Sequence, residues 1–375
     1  MTPIKNDVDP NGLLEYSVVY TDRSLNHMSK SFQSIMNEIS GTLKEVYNAD
    51  AVAVIPGSGT FGMEAVARQF ANDEHCLVIR NGWFSYRWTQ ILEMAKLPAS
   101  CTVLKARQTH QDSQAPFAPP PIEEVIATIN TEKPSIVFAP HVETSSGIML
   151  PNDYLKQIGD AVQSVGGLFV LDCIASGAIW VDMKEVGVDV LISAPQKGWS
   201  GSPCCGLVMM NDDAVTRMQS TQSNSFACDL KKWSEIMNAY ENGGHAYHAT
   251  MPTDSLARFS DVMSETKKYG FANVHAAQTE LGHRVRTLLN DKGIASVAAK
   301  GFEAPGVVVS YTNDASFQNG SKFSAHGMQI AAGVPLQCDE PDDFQTFRLG
   351  LFGLDKLYNV DAAASKFEET LEKIL

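Results

Sequence analysis

The chain is short of basic charge: 29 Lys and Arg stand against 43 Asp and Glu, a net charge of −14 over 375 residues. That is the wrong sign for a protein that tracks phosphate backbones, so nucleic acid is not expected as a partner. A small anionic ligand is not excluded, because a local Arg, Lys or helix N-terminus decides its binding. No run of residues reaches the length of a membrane span, and the first ten residues lack the apolar stretch of a secretory signal. The seven cysteines are an odd number; Cys76, Cys101, Cys173, Cys228 and Cys338 are scattered and only Cys204 and Cys205 adjoin, so free thiols and a cytoplasmic protein are expected. Charged residues make up only 19% and hydrophobic residues 44%, which excludes a disordered, collagen-like or coiled-coil chain.

Metal-ligand spacing is missing as well. His141-Val142-Glu143 with Pro203-Cys204-Cys205 begins like a zinc deaminase signature, but the second Cys required at position 207 is Leu207. His245 and His248 have neither the i, i+4 spacing nor the Glu of a zinc-protease helix.

What is present is an alternation of strand and helix signals. Met28, Phe32, Ile35, Ile39, Leu43 and Val46 recur at helical steps. Ala51 to Ile55 reads as a buried strand leading into Gly57-Ser58-Gly59-Thr60, with a helix from about Thr60. Cys76 to Arg80, Ser135 to Pro140, Gly167 to Cys173, Val188 to Ala194 and Gly206 to Met210 are apolar runs separated by helical patterns. Such continuous apolar strands predict an α/β fold with a mostly parallel sheet covered on both faces. Past Pro252 a long helical stretch runs to about Leu289, followed by Gly306 to Thr312 and a last strand and helix. We expect a large domain at 1–255 and a smaller C-terminal α+β domain at 256–375. Pro116 to Pro121 reads as a surface connection.

Gly57-Ser58-Gly59-Thr60-Phe61-Gly62 matches the dinucleotide pattern G-x-G-x-x-G, but the second strand ends at Arg80-Asn81-Gly82, without the acidic residue that would hold a ribose. The turn is either a tight turn that needs glycine or the N-terminal cradle of a single phosphate. Asp172 ends one predicted strand and Lys197 follows another, so both project from the carboxyl edge on which the glycine turn lies. An amine, a carboxylate and a phosphate cradle on one rim are what pyridoxal phosphate requires: the lysine forms a Schiff base and the carboxylate keeps the pyridine nitrogen protonated.

Seven segments in order carry a family resemblance. They are Gly57 to Thr60 with Met63-Glu64-Ala65; Asn81 to Arg87; His141 to Gly147; Leu171-Asp172; Ser193 to Lys197; Tyr247 to Pro252; and Phe347 to Gly353. The chain resembles the class V aminotransferases of fold type I, in the branch of alanine–glyoxylate and serine–pyruvate aminotransferases. The resemblance implies that Lys197 is the catalytic lysine, that Asp172 partners the pyridine nitrogen, and that Ser58, Gly59, Thr60 and Gln196 hold the cofactor phosphate. It implies Phe84 stacked on the cofactor ring, Ser145 on its phenolic oxygen, and Arg348 on the substrate α-carboxylate. Tyr247 and Thr250 would reach the phosphate of the neighbouring subunit, so a homodimer is implied. The function expected is transfer of an amino group from a small amino acid to a keto acid such as glyoxylate or pyruvate.

The family usually opens with a Pro-Gly-Pro stretch, where this chain has Leu14 to Arg23, with Tyr16, Tyr20 and Arg23 as residues able to reshape the pocket. Alternatives are a 2-aminoethylphosphonate-type transaminase, a cysteine desulfurase using Cys338, and an NAD-dependent dehydrogenase. Phe84 speaks against the desulfurase, whose relatives stack a His at that position.

Overall fold

The structure, a computed structural model, describes residues 8–375. Residues 1–7, part of the stretch read above for a secretory signal, lie outside it. Helix α1 (Lys30–Tyr47) opens the ordered fold, capped by the Ser29 side chain, and buries Phe32, Met36, Ile39 and Leu43 along one face. The first strands and helices follow as β1 (Ala51–Pro56), α2 (Gly59–Phe70), β2 (His75–Arg80), α3 (Trp83–Ala95) and β3 (Ser100–Lys105). Next come the short β4 (Arg107–Gln108) and β5 (Phe117–Ala118), then α4 (Ile122–Glu132), β6 (Ile136–Pro140), α5 (Asn152–Ser164) and β7 (Leu168–Asp172). The large sheet is completed through α6 (Met183–Val186), β8 (Val190–Ser193) and β9 (Cys205–Met210), and α7 (Asp212–Ser220), α8 (Leu230–Glu241) and α9 (Thr253–Tyr269) close this half.

The seven-stranded sheet has the order β1-β9-β8-β7-β6-β2-β3. All neighbours are parallel except β9, which is antiparallel to both β8 and β1. Two reversals cancel, so β1 runs in the same direction as β8 and ends on the same edge. Strands β6, β7, β8 and β9 are buried along their whole length, as expected when helices cover both faces.

The second half contains α10 (Phe271–Asp291), β10 (Val307–Tyr311), α11 (Ala315–Gln318), α12 (Ser321–Ala325), β11 (Ala331–Ala332), β12 (Thr346–Gly350), α13 (Leu354–Leu357) and α14 (Val360–Ile374). Its sheet is antiparallel, in the order β10-β12-β11. Arg348 lies on the middle strand, between Val309 and Ala331.

Two expectations change. The long helical stretch after Pro252 is two helices, broken at Gly270. Leu256, Phe259 and Met263 of α9 pack into the large-sheet core, whereas Val274, Leu281 and Val285 of α10 belong to a second core. The proline-rich stretch is not a mere surface connection. Phe117 is buried, donates its N–H to Val297 O (2.7 Å) and accepts from Ala299 N–H (2.9 Å), so this segment ties the two halves together. Prolines lack a donor, which hid that Phe117, between them, keeps both of its backbone bonding groups.

Candidate active site

The helix α2 starts with nothing of its own to satisfy its first N–H groups. Its first intrahelical bonds are made by Phe61 and Gly62, both to Ser58 O, and the Ser58 hydroxyl caps no helix N–H. The amides of Gly59 and Thr60 therefore face forward at the positive end of the helix dipole. A Cβ on Gly59 would stand 2.6 Å from Ile174 Cδ1, so a larger residue here would have to displace the Ile174 side chain of the loop after β7. Opposite, the loop after β8 carries Gln196 and Lys197. Gln196 Oε1 is buried and has no hydrogen-bond partner among the described residues.

These groups line one cavity of about 170 Å³, together with Phe84 from the start of α3 and Asp172 at the end of β7. Asp172 is buried and its carboxylate accepts one hydrogen bond, from Ile174 N–H (2.9 Å). Burial, opposed by that bond, raises its carboxyl to about 7. Lys197 is shifted the other way: burial first and the Arg348 cation second hold its ammonium below the ordinary lysine range, while Asp172 pulls it back. Its Nζ lies 5.3 Å from the centre of the Phe352 ring of the smaller half.

Phe84 is positioned by a carboxylate that the sequence reading passed over. Glu143 is fully buried and accepts from Phe84 N–H (3.1 Å), Ser85 N–H (2.8 Å), the Ser85 hydroxyl (2.7 Å), Ser145 N–H (3.0 Å) and the Ser145 hydroxyl (2.8 Å). It closes the open N-terminus of α3 as a capping side chain would, and favourably for the dipole. Glycine is required at position 82, where a Cβ would come 2.7 Å from Glu143 Cγ. Two cations flank the Phe84 ring: the guanidinium carbon of Arg87 at 4.6 Å from its centre and that of Arg348 at 5.5 Å. Arg348 Nε donates to Ala332 O (2.8 Å), which fixes the side chain and leaves its terminal nitrogens for a ligand.

The structure thus brings Ser58, Gly59, Thr60, Phe84, Asp172, Gln196 and Lys197 to one cavity and sets Arg348 beside it. Ser145 is not part of the wall. Its hydroxyl donates to Glu143 (2.8 Å) and accepts from Trp83 N–H (2.8 Å), and Thr144 is the hydroxyl of that segment that lines the cavity. Tyr247 and Thr250 lie outside the cavity too, on an exposed loop where their hydroxyls are 3.0 Å apart. Neither Tyr16 nor Arg23 reaches it: both are exposed, and Tyr20 bonds Met251 O instead (3.1 Å). Arg87 and Thr144 were both inside segments quoted for the resemblance, and their position in those segments was the available signal.

No group of three or more His, Cys, Asp or Glu among the described residues could hold a metal ion, and no helix among them is long and apolar enough to cross a membrane. Cys338 is buried, with Sγ 3.4 Å from Arg80 O, and burial pushes its thiol far up. A thiol in that state is a poor sulfur acceptor.

A Schiff-base lysine candidate facing a strand-end carboxylate across a phosphate cradle defines a class of enzyme, and the chain belongs to it: the family described as "Aminotransferase class-V" matches residues 12–333. Members of this family are aminotransferases that use pyridoxal phosphate. Among relatives, the chain is 24% identical over 361 residues to the alanine–glyoxylate aminotransferase of Rattus norvegicus, covering 93% of this chain and 83% of that one. It is 27% identical over 348 residues to the 2-aminoethylphosphonate–pyruvate transaminase of Pseudomonas aeruginosa, covering 89% and 86%. In structure it is similar to an alanine–glyoxylate aminotransferase from Nostoc sp., with a TM-score of 0.78 at 21% identity over 92% of this chain and 89% of that one. This last likeness shares the fold.

The residues at the cavity fit the family's cofactor. The orphaned Gln196 Oε1, the uncapped Ser58 hydroxyl and the glycine approach at Gly59 are polar and steric features of a phosphate site, and Asp172 is an acceptor with room for one strong donor.

Proposed function

We propose that this enzyme transfers the amino group of a small α-amino acid to a keto acid such as glyoxylate or pyruvate. The observation that carries the reading is Arg348, a fixed guanidinium beside the cavity that holds Lys197 and Asp172. Bound in that cavity, pyridoxal phosphate supplies an electron sink that makes the α-proton of an attached amino acid acidic. Lys197 Nζ takes that proton and returns it. Burial and the Arg348 cation favour the neutral amine needed for this. Asp172 would hold a proton on the pyridine nitrogen, Phe84 would stack on the ring, and Ser58, Gly59, Thr60 and Gln196 would hold the phosphate. Arg348 takes the substrate carboxylate through two parallel hydrogen bonds. Tyr247 and Thr250, exposed in one chain, complete the phosphate site of a second copy, so the active form is a homodimer. All seven cysteines are free, which suits a cytoplasmic enzyme.

The relatives' names divide between donors with and without an α-carboxylate, and Arg348 favours the former. Amino acids and 2-aminoethylphosphonate should be screened as donors, each with glyoxylate and with pyruvate. Turnover with alanine or serine, weakened in Arg348→Lys for both donor and acceptor, supports the reading. Turnover with the phosphonate alone overturns it.

A further inference from the structure

We propose that Arg87 supplies the positive charge that balances the cofactor phosphate, a role separate from the grip of Arg348 on the substrate. The inference rests on the assignment of the cavity to that cofactor and deepens it. The cradle built by Ser58, Gly59, Thr60 and Gln196 contains no charged side chain. Helix α2 offers a partial charge of roughly one half at its N-terminus, against a phosphate that carries nearly two negative charges at neutral pH. A cation is missing from that balance. Lys197 faces the opposite demand, since it must lose its proton to act.

Arg87 lines the same cavity and has the geometry for the task. Its Nη1 donates to Thr60 Oγ1 (3.3 Å), which ties the guanidinium to a residue of the cradle itself. The guanidinium carbon lies over the Phe84 ring, 4.6 Å from its centre, a cation–π contact. The ion pairs among the described residues all involve other cations, so the charge of Arg87 is not neutralised by the protein. Glu143, which caps the start of the same helix, already accepts from five other donors. The Arg87 charge also reaches Asp172 and Lys197, lowering the pKa of both.

Full-length wild type, Arg87→Met and Arg87→Lys should each be freed of cofactor and titrated with pyridoxal phosphate and with pyridoxal, which has the same ring and aldehyde but no phosphate. Arg87→Met is expected to bind pyridoxal phosphate about 10- to 100-fold more weakly, the range for a charge-assisted hydrogen bond, with pyridoxal affinity lowered far less. Arg87→Lys should recover part of the loss. Unchanged pyridoxal phosphate affinity in Arg87→Met overturns the proposal, and if the KM for an anionic substrate rises instead, Arg87 serves the substrate. Equal weakening of both ligands also overturns it, because a merely structural role would not distinguish them. If wild type binds neither ligand, it is the cavity assignment that fails, whatever Arg87 does.

Discussion

The end of β7 and the start of α3 each bury a carboxylate on the same rim, and the two are treated in opposite ways. Glu143 accepts five hydrogen bonds from backbone and hydroxyl donors, whereas Asp172 accepts one. A carboxylate has about four lone-pair sites, so Glu143 is saturated and Asp172 has most of its acceptor capacity vacant. Saturation makes Glu143 part of the scaffold. Vacancy makes Asp172 expensive to ionise without a ligand, which is why its carboxyl rises to about 7. Burial alone therefore does not identify a functional acid; the count of donors around it does.

Substitutions can test this division. The largest effect belongs to Lys197, on the ligand-awaiting side with Asp172: Lys197→Ala should abolish turnover with little change in thermal stability. Borohydride treatment of the wild-type holoenzyme should leave the cofactor covalently on Lys197, as read by peptide mapping; a label on another lysine breaks the assignment. Asp172→Asn should lower kcat roughly 10²- to 10⁴-fold, the range for a positioned proton, again without loss of stability. Glu143→Gln should do the reverse. Leaving buried donors at the start of α3 without an acceptor should cost about 2–4 kcal/mol in denaturant unfolding, while Lys197 remains reactive to the cofactor. If Glu143→Gln is stable and Asp172→Asn unfolds, the comparison is wrong.

A last effect is in the pH dependence of the cofactor-free protein. Asp172 is raised from 3.8 to about 7 in the folded chain. Between those values the unfolded chain has released a proton that the folded chain keeps, so this group's contribution to stability falls as pH rises from about 4 to about 7. Wild type minus Asp172→Asn should therefore lose stability across that window, by a few kcal/mol at most on the order of 1.4 per pKa unit, and the loss should shrink when the cofactor is bound. A flat difference would mean that Asp172 finds donors in solution that the structure lacks.

Much of the rim was legible because it depends on short-range pattern. Strand ends followed by Asp172, by Gln196-Lys197 and by Ser58-Gly59-Thr60 are local features, and the direction of parallel strands puts them on one edge. Glu143 was not legible, because its meaning lies in donors on α3 that are far away in the chain; read locally, His141-Val142-Glu143 suggested only a metal motif with the wrong spacing. The choice between Ser145 and Thr144 was also hidden, since adjacent hydroxyls differ only in which way the backbone turns them. The division of the cores after α9 escaped for a similar reason: the apolar period runs on through Gly270, and only packing shows that α9 and α10 face different cores.

The antiparallel strand β9 sets an order of events. β1 has β9 as its neighbour in the sheet, with Ala51 paired to Met210 and Pro56 to Cys205, and Gly57 N–H bonds Cys204 O (2.9 Å). The turn that begins the site is thus among the earliest parts of the chain to be made, yet it has no sheet partner until residues 204–210 have been synthesised, many seconds later at about 5–20 residues per second. Closing so long a loop is a slow kind of contact to form. On the ribosome the first strand, and with it the Gly57 turn, waits for the last strand of its sheet.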